Sequence, residues 1–398
     1  MVYGHGRLRG ATVLLFALLG VVPVVLSLGG AEAGAAGRHD EMSTSPWVIG
    51  YYPWYEASEV TPASFPYSKV THVDIGNVHV TAGGCCTPPA GAAAAWASYA
   101  PATVRLAHAA GRKVLLQLGG SDNTPEGWKA GTVTPAATTT LAHSIVSYAQ
   151  ALHVDGVTID WEQDVDERAV GALAHAVRTS WPKAIITFDI DPYDHDLSWV
   201  PSVAPYVDRV DAMTYVSVGN WGGWQGPWHQ GALYGDTALN PFSVNRKVRA
   251  LIAAGLSPRQ VGIGIGLFGT GYGDSNGDGR CPTSPTGGWA GEKGPMISDF
   301  DLQLGTVARL YAPYMKRTFD PVTRTPYLSA PPPGAGGAPS GSPPKLCYIT
   351  YEDPQSATEK GRYVRANGLG AVILWAVPQD RRSNGTFPVI SALDAALR

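Results

Sequence analysis

Residues 155–164 read DGVTIDWEQD, and two acids in this stretch, Asp160 and Glu162, stand two residues apart. Side chains of an extended chain alternate between faces, so Thr158, Asp160 and Glu162 share one face while Val157, Ile159 and Trp161 share the other. Two carboxyls about 7 Å apart on one face are candidate catalytic acids. Burying such a pair is costly unless it is hydrogen-bonded or used. A structural reading competes, in which the pair is held by arginines or by the N-terminus of the next helix, whose first turn already includes Asp164 and Asp166.

The elements that must position this pair can be read from the alternation of short apolar runs with helical patterns. Candidate strands are 47–52, 70–78, 113–118, 154–162, 184–190, 208–215, 261–268 and 370–376. Between them, Leu141, Ile145, Tyr148 and Leu152 recur at helical spacing after Thr134-Pro135, and a polar cap followed by proline is a helix-start signal. Asn240-Pro241 opens a second such segment closed by Gly255, and Asp353-Pro354 a third closed near Gly368. Eightfold strand–helix alternation predicts a parallel (β/α)8 TIM barrel, which leaves no exposed edge and puts its chemistry at the C-terminal ends of the strands. Glu162 falls at such an end. A doubly wound sheet is the alternative, but YYPWYEA stands after the first strand where a glycine-rich phosphate turn would be. Residues 270–345 are too long for an ordinary connection and predict an insertion between strands seven and eight. Its 330–344 segment, APPPGAGGAPSGSPP, reads as flexible or polyproline-like.

The whole chain sets limits on function. Its 398 residues are 44% hydrophobic and 15% charged, with a formal net charge of −3 and no Lys/Arg run to follow a phosphate backbone, so a nucleic-acid partner is not expected. Arg7 and Arg9 precede an apolar run that ends near Ala31-Glu32-Ala33. This reads as a secretory signal peptide over 1–33, with an uncleaved anchor as the alternative. The expected product is an extracellular monomer with no membrane contact after cleavage. Export makes Cys85, Cys86, Cys281 and Cys347 disulfide candidates. A bridge between the adjacent Cys85 and Cys86 needs a strained eight-membered ring, so distant partners are expected for each.

DGVTIDWE resembles the DGxDxDxE signature of glycoside hydrolase family 18, the chitinase-like family, with Thr158 in place of its first inner aspartate. VIGYY resembles the family's first strand, KVLLQLGG its third, DAMTY its sixth, and TYEDPQSATEKGRYVRANGLGAVILWAVPQD its final helix and eighth strand. The resemblance runs from about Trp47 to Arg398. It implies hydrolysis of β-1,4 bonds next to N-acetylglucosamine, with the substrate's own acetamido oxygen attacking the anomeric carbon. The family is an exception to the usual two-carboxylate scheme. Glu162 would be the acid and then the base, Asp160 would orient the acetamido group, and Tyr215 would hydrogen-bond its oxygen. Tyr51, Met213, Trp375, Gln117 and Thr158 would complete the sugar site.

In the family, position 158 usually shares a proton with its neighbour. Threonine cannot store that proton, but its hydroxyl could donate to Asp160. Two further departures are Gln117, where serine is usual, and Val216, where aspartate is usual. Trp221, Trp224 and Trp228 occupy a glycine-rich loop after strand six, where rings could stack on sugars or pack on one another; Trp54 and Trp128 have the same two readings. No cofactor and no metal are expected: Asp274, Asn276 and Asp278 imitate a calcium loop whose twelfth position is Pro285. A catalytically silent glycan-binding protein and an endo-β-N-acetylglucosaminidase acting on N-glycans are the rival readings.

Overall fold

The structure is a computed structural model that describes residues 45–193, 196–215, 228–238, 241–273, 296–297, 302–330 and 346–398. The proposed signal segment, Trp221, Trp224, Val216, the DSNGDG turn, Cys281 and the proline-rich 331–345 stretch lie outside the described residues.

Eight parallel strands close on themselves. They are β1 (Trp47–Pro53), β2 (His72–Thr81), β3 (Lys113–Gly119), β4 (Gly156–Asp160), β5 (Ile185–Ile190), β6 (Arg209–Ala212), β7 (Val261–Gly266) and β8 (Ala371–Trp375). Each pairs with the next, and β1 pairs with β8 in the register Trp47↔Ala371 to Gly50↔Leu374. This is the expected (β/α)8 TIM barrel. β4 ends at Asp160, two residues earlier than the apolar pattern suggests, so Glu162 stands just beyond the strand.

The outward residues of the strands, such as Val157, Ile159, Ile186 and Phe188, are buried in one continuous apolar core with the covering helices. These are α1 (Ala93–Ala109), α2 (Pro135–Ala151), α3 (Glu167–Ser180), α4 (Val244–Ala253), α5 (Pro354–Ala366) and α6 (Pro388–Leu397). Their starts follow capping chemistry: Thr134 accepts from Ala137 N, Asp166 from Arg168 N and Ala169 N, and Asp353 from Gln355 N and Ser356 N. The second expected helix is corrected. It begins at Val244, capped by Ser243 Oγ accepting from Arg246 N, and not at Asn240-Pro241. The serine supplies the acceptor that the first orphan amides need.

Between β7 and β8 the chain builds a five-stranded antiparallel sheet from Thr270–Gly273, Met296–Ile297, Lys316–Asp320, Thr325–Ser329 and Leu346–Thr350. Where this sheet returns to the barrel, Glu352 and Lys360 form an ion pair with both side chains buried.

The disulfide expectation is corrected. Cys85 and Cys86 are bonded to each other on the Gly84–Thr87 strand that folds back on β2, with their Cα atoms 3.1 Å apart. The hairpin is tied to α2 by Ser144, whose hydroxyl donates to Cys85 O and accepts from Cys85 N. Both half-buried cysteines pack on the apolar core, and that packing fixes the pair locally rather than leaving either free for a distant partner. Cys347 is also disulfide-bonded. Among the described residues no helix is long and apolar enough to cross a membrane, and no group of side chains is arranged to hold a metal ion.

Candidate active site

The C-terminal mouth of the barrel collects the residues that the sequence singles out. Asp160 closes β4 with its side chain buried, and its Oδ2 accepts from Gln117 Nε2 at 2.8 Å. Among the described residues its Oδ1 has no hydrogen-bond partner. Burial pushes the Asp160 carboxyl up to about 6, against the opposing pull of the Gln117 hydrogen bond. Glu162 opens onto solvent at the mouth. The protein packed around it and then the charge on Asp160 raise its carboxyl to about 9, and solvent at the mouth screens part of that rise. Asp122 and Asp191 add to it in the same direction. The two carboxyls thus differ, with Asp160 the easier to ionise.

Around this pair stands an aromatic wall. Tyr51, Met213, Tyr215 and Phe268 form one buried cluster with Ile49, Leu115, Ala371 and Ile373, and half-buried Trp375 packs against it. The rings of Tyr51 and Trp375 lie 5.6 Å apart, and Tyr215 meets Phe268 edge-on at 6.0 Å. Room for the wall comes from glycines. A Cβ on Gly264 would lie 2.5 Å from the Tyr215 ring, and one on Gly76 would lie 1.9 Å from Gln117 Oε1. Gly119, at φ 106°, adopts a backbone conformation that other residues rarely hold, and a Cβ there would lie 2.1 Å from Asp160 O. The glycine pair after KVLLQL therefore lets β3 come close to β4.

Three expectations are corrected. Thr158 does not donate to Asp160; its hydroxyl donates to Asp74 Oδ2 on β2 and accepts from Thr187 Oγ1 on β5 at 2.8 Å. Thr158 lies a full pleat deeper than Asp160, level with its neighbours across the sheet, Gln117 and Thr187. Trp128 is fully buried and stacks on Trp161 at 5.3 Å with the rings 5° from parallel. It is a core ring rather than a sugar platform, because α2 and the short helix before it cover the outer face of β4. Trp228 is buried as well, edge-on to His229. The competing structural reading of the acid pair also fails locally, since Asp166 takes the α3 N-terminus and Asp160 has an amide, not an arginine, as partner.

Sequence reasoning missed three further acids of the barrel strands: Asp74 on β2, Asp189 on β5 and Asp211 on β6, all buried. Asp189 Oδ2 accepts from the Tyr51 hydroxyl. The signal was present. Thr187 and Asp189 alternate with Ile186, Phe188 and Ile190, which is the same two-residue pattern that exposes Asp160.

A closed parallel barrel with an acid pair at the end of its fourth strand, under an aromatic mouth, defines a barrel enzyme equipped for acid–base hydrolysis. Comparison with known proteins makes the class specific. The profile of glycosyl hydrolases family 18 matches residues 47–380, and the chain belongs to that family. It is 24% identical to chitinase B of Serratia marcescens, covering 89% of this chain and 84% of that protein. It is 25% identical to endochitinase 1 of Metarhizium robertsii over 68% of this chain, and spans 62% of that protein's length. In fold it is similar to catalytic domain 2 of the group II chitinase of Ostrinia furnacalis, with a TM-score of 0.72 and 18% identity over 88% of this chain and 96% of that one. It is also similar to a family 18 N-acetylglucosaminidase of Paenibacillus barengoltzii, with a TM-score of 0.68 and 21% identity over 88% and 99%.

Proposed function

We propose that the protein is an exported, monomeric glycosidase that cleaves β-1,4 bonds next to N-acetylglucosamine in chitin-type polymers or oligomers, with retention of configuration. The observation that carries this reading is the acid pair at the barrel mouth: buried Asp160 held by Gln117, and Glu162 just beyond the end of the same strand, its carboxyl pushed up by its surroundings and by Asp160. The chitinase names among its relatives support the substrate class.

The acetamido oxygen of the sugar attacks the anomeric carbon as the glycosidic C–O bond breaks, and Glu162 gives its proton to the departing oxygen. The oxazolinium-like ring carries positive charge, which ionised Asp160 offsets. Glu162, now a carboxylate, takes a proton from water. The oxygen of that water bonds to the anomeric carbon, the ring opens, and the acid is restored. Tyr215 supports the acetamido group, while Trp375 provides the floor for the sugar.

The test is turnover of a chromogenic chitobioside by the wild type and by Glu162→Gln. Loss of general acid catalysis lowers kcat by about 10²–10⁴-fold with binding of the chitobioside retained. Binding without Glu162-dependent turnover in the wild type would transfer the reading to a glycan-binding protein. Cleavage of N-glycan cores in place of the chitobioside would transfer it to an endo-β-N-acetylglucosaminidase.

A further inference from the structure

Around Asp160 the barrel interior holds more acid than it can ionise. β2 contributes Asp74, β4 Asp160, β5 Asp189 and β6 Asp211, all at most 3% exposed. Among the described residues, the other buried polar or charged side chains facing them from the strands are Tyr51 on β1, His72 on β2, Gln117 on β3, Thr158 on β4, Thr187 on β5 and Arg209 on β6. Burial and Arg209 keep His72 neutral. β7 and β8 present Gly262, Gly264, Ala371 and Ile373. At the mouth stand Glu162, Asp122 and Asp191. Four buried carboxylates would therefore face one guanidinium, and a buried anion without a counter-charge costs several kcal/mol. Protons must stay behind.

Hydrogen-bond chemistry says where. Asp160 takes an amide N–H, which can only donate, so its anion is the favoured form. Asp211 has the Arg209 cation as its neighbour, and that charge opposes the effect of burial. Asp74 and Asp189 differ from both: each has a hydroxyl as its protein partner, Thr158 for one and Tyr51 for the other. A hydroxyl accepts as readily as it donates, so the chain Thr187–Thr158–Asp74 can run from acid to hydroxyl as well as the reverse.

We propose that Asp74 and Asp189 are resident carboxylic acids: they keep their protons while Asp160 ionises, and as positioning residues they leave Asp160 the anion nearest the reacting sugar. Thr158 then has a clear part. An acid at that position would stand directly between Asp74 and Asp160, whereas a hydroxyl connects Asp74 to Thr187 without adding charge. The direction of the shifts agrees, since burial and the neighbouring acids raise both Asp74 and Asp189 well above the usual carboxylate range. Only the catalytic consequence rests on the glycosidase reading; the protonation of the two acids does not.

The test begins with the infrared spectrum of the resting protein at pH 7, with Asp74→Asn and Asp189→Asn for assignment. The wild type shows carbonyl absorption of protonated carboxyls, and each variant lacks one component. Unfolding the wild type in weakly buffered solution at pH 7 releases these two protons on top of those that Glu162 and, in part, Asp211 and Asp380 hold there, a measurement that stands even if a variant does not fold. In the pH dependence of kcat/KM on the chitobioside, Asp189→Asn leaves the midpoint of the acidic limb in place, whatever its height. A downward move of a pH unit or more, about the size of a lost unit charge several ångströms off in an effective dielectric of about 20, would overturn the proposal. So would variants that lose no carboxyl absorption, or unfolding that releases no more protons than Glu162, Asp211 and Asp380 account for. A wild type that turns over no chitobioside would refute the glycosidase reading, while the spectrum and the proton release would still decide this one.

Discussion

At the scale of single residues the site depends on the contrast between two carboxyls. In the proposed mechanism Glu162 serves as an acid only while protonated, and Asp160 stabilises charge only while ionised. Activity is therefore expected between an acidic limb near 6 and a basic limb toward 9, each limb belonging to the interacting pair rather than to one group. Gln117 sets the lower limb. Its N–H stabilises the Asp160 anion, so Gln117→Leu raises the Asp160 carboxyl and moves the acidic limb to higher pH. A hydrogen bond to a charged group is worth about 1.5–3 kcal/mol, which is a shift of about one to two pH units. A pH series of kcat/KM checks this, and a limb that stays put or moves down contradicts the placement of Gln117. The acid pair was legible in the sequence because alternation alone puts Asp160 and Glu162 on one face. The partner of Thr158 was not, because it comes from β2, 84 residues away, and period-two reasoning reports a face without saying which strand lies opposite.

At the scale of elements, volume decides what fits. β7 reads VGIGIG, and its inward glycines yield space to their neighbours: Gly262 to Asp211 and Gly264 to Tyr215. Gly264→Ala would drive a methyl into the Tyr215 ring and against Ala212 O, 3.0 Å away. The expected cost is about 1–3 kcal/mol of stability, read by chemical denaturation, with a rise in KM from the displaced ring. An unchanged KM would separate Tyr215 from sugar binding. The ion pair of Glu352 and Lys360 gives a second expectation. Lys360→Met leaves a buried carboxylate alone and costs about 3–5 kcal/mol, visible as a lowered denaturation midpoint. Most elements could be read from punctuation. Thr134-Pro135 and Asp353-Pro354 open α2 and α5 as their cap chemistry indicates, and Gly368 at φ 62° follows α5. Asn240-Pro241 misled because a proline signal outweighed Ser243, the residue with the acceptor at the right distance from the first free amide. Trp128 misled for another reason: its position after β3 says nothing about which side of the short Pro125–Thr132 helix it occupies, and stacking on Trp161 settles that in favour of the core.

At the scale of the whole molecule, the buried acids tie stability to pH. Asp160 at about 6, and Asp211 and Asp380 at about 7, all lie above their unfolded value. The native state therefore holds protons that the unfolded chain releases. Their stabilising contribution is complete below about pH 4 and is lost as pH rises through 6 and 7. Asp320, held down to about 2 by His229, and Asp155, lowered by Lys113, Val114 N and His108, act in the opposite sense and lose their contribution in acid. Thermal unfolding should accordingly show a higher Tm near pH 5 than near pH 7.5, with a fall below about pH 4; a Tm that climbs steadily toward pH 8 would contradict the buried-acid account. The same distribution makes the barrel two-sided. β2, β4, β5 and β6 carry the carboxyls, whereas β1 and β8 carry Tyr51 and Trp375, and the glycines of β7 add almost no bulk of their own. A ring lowered into this mouth would meet flat apolar surface along one flank and proton-bearing oxygen along the other, so its orientation would be chosen by the lopsidedness of the cup before any bond is strained.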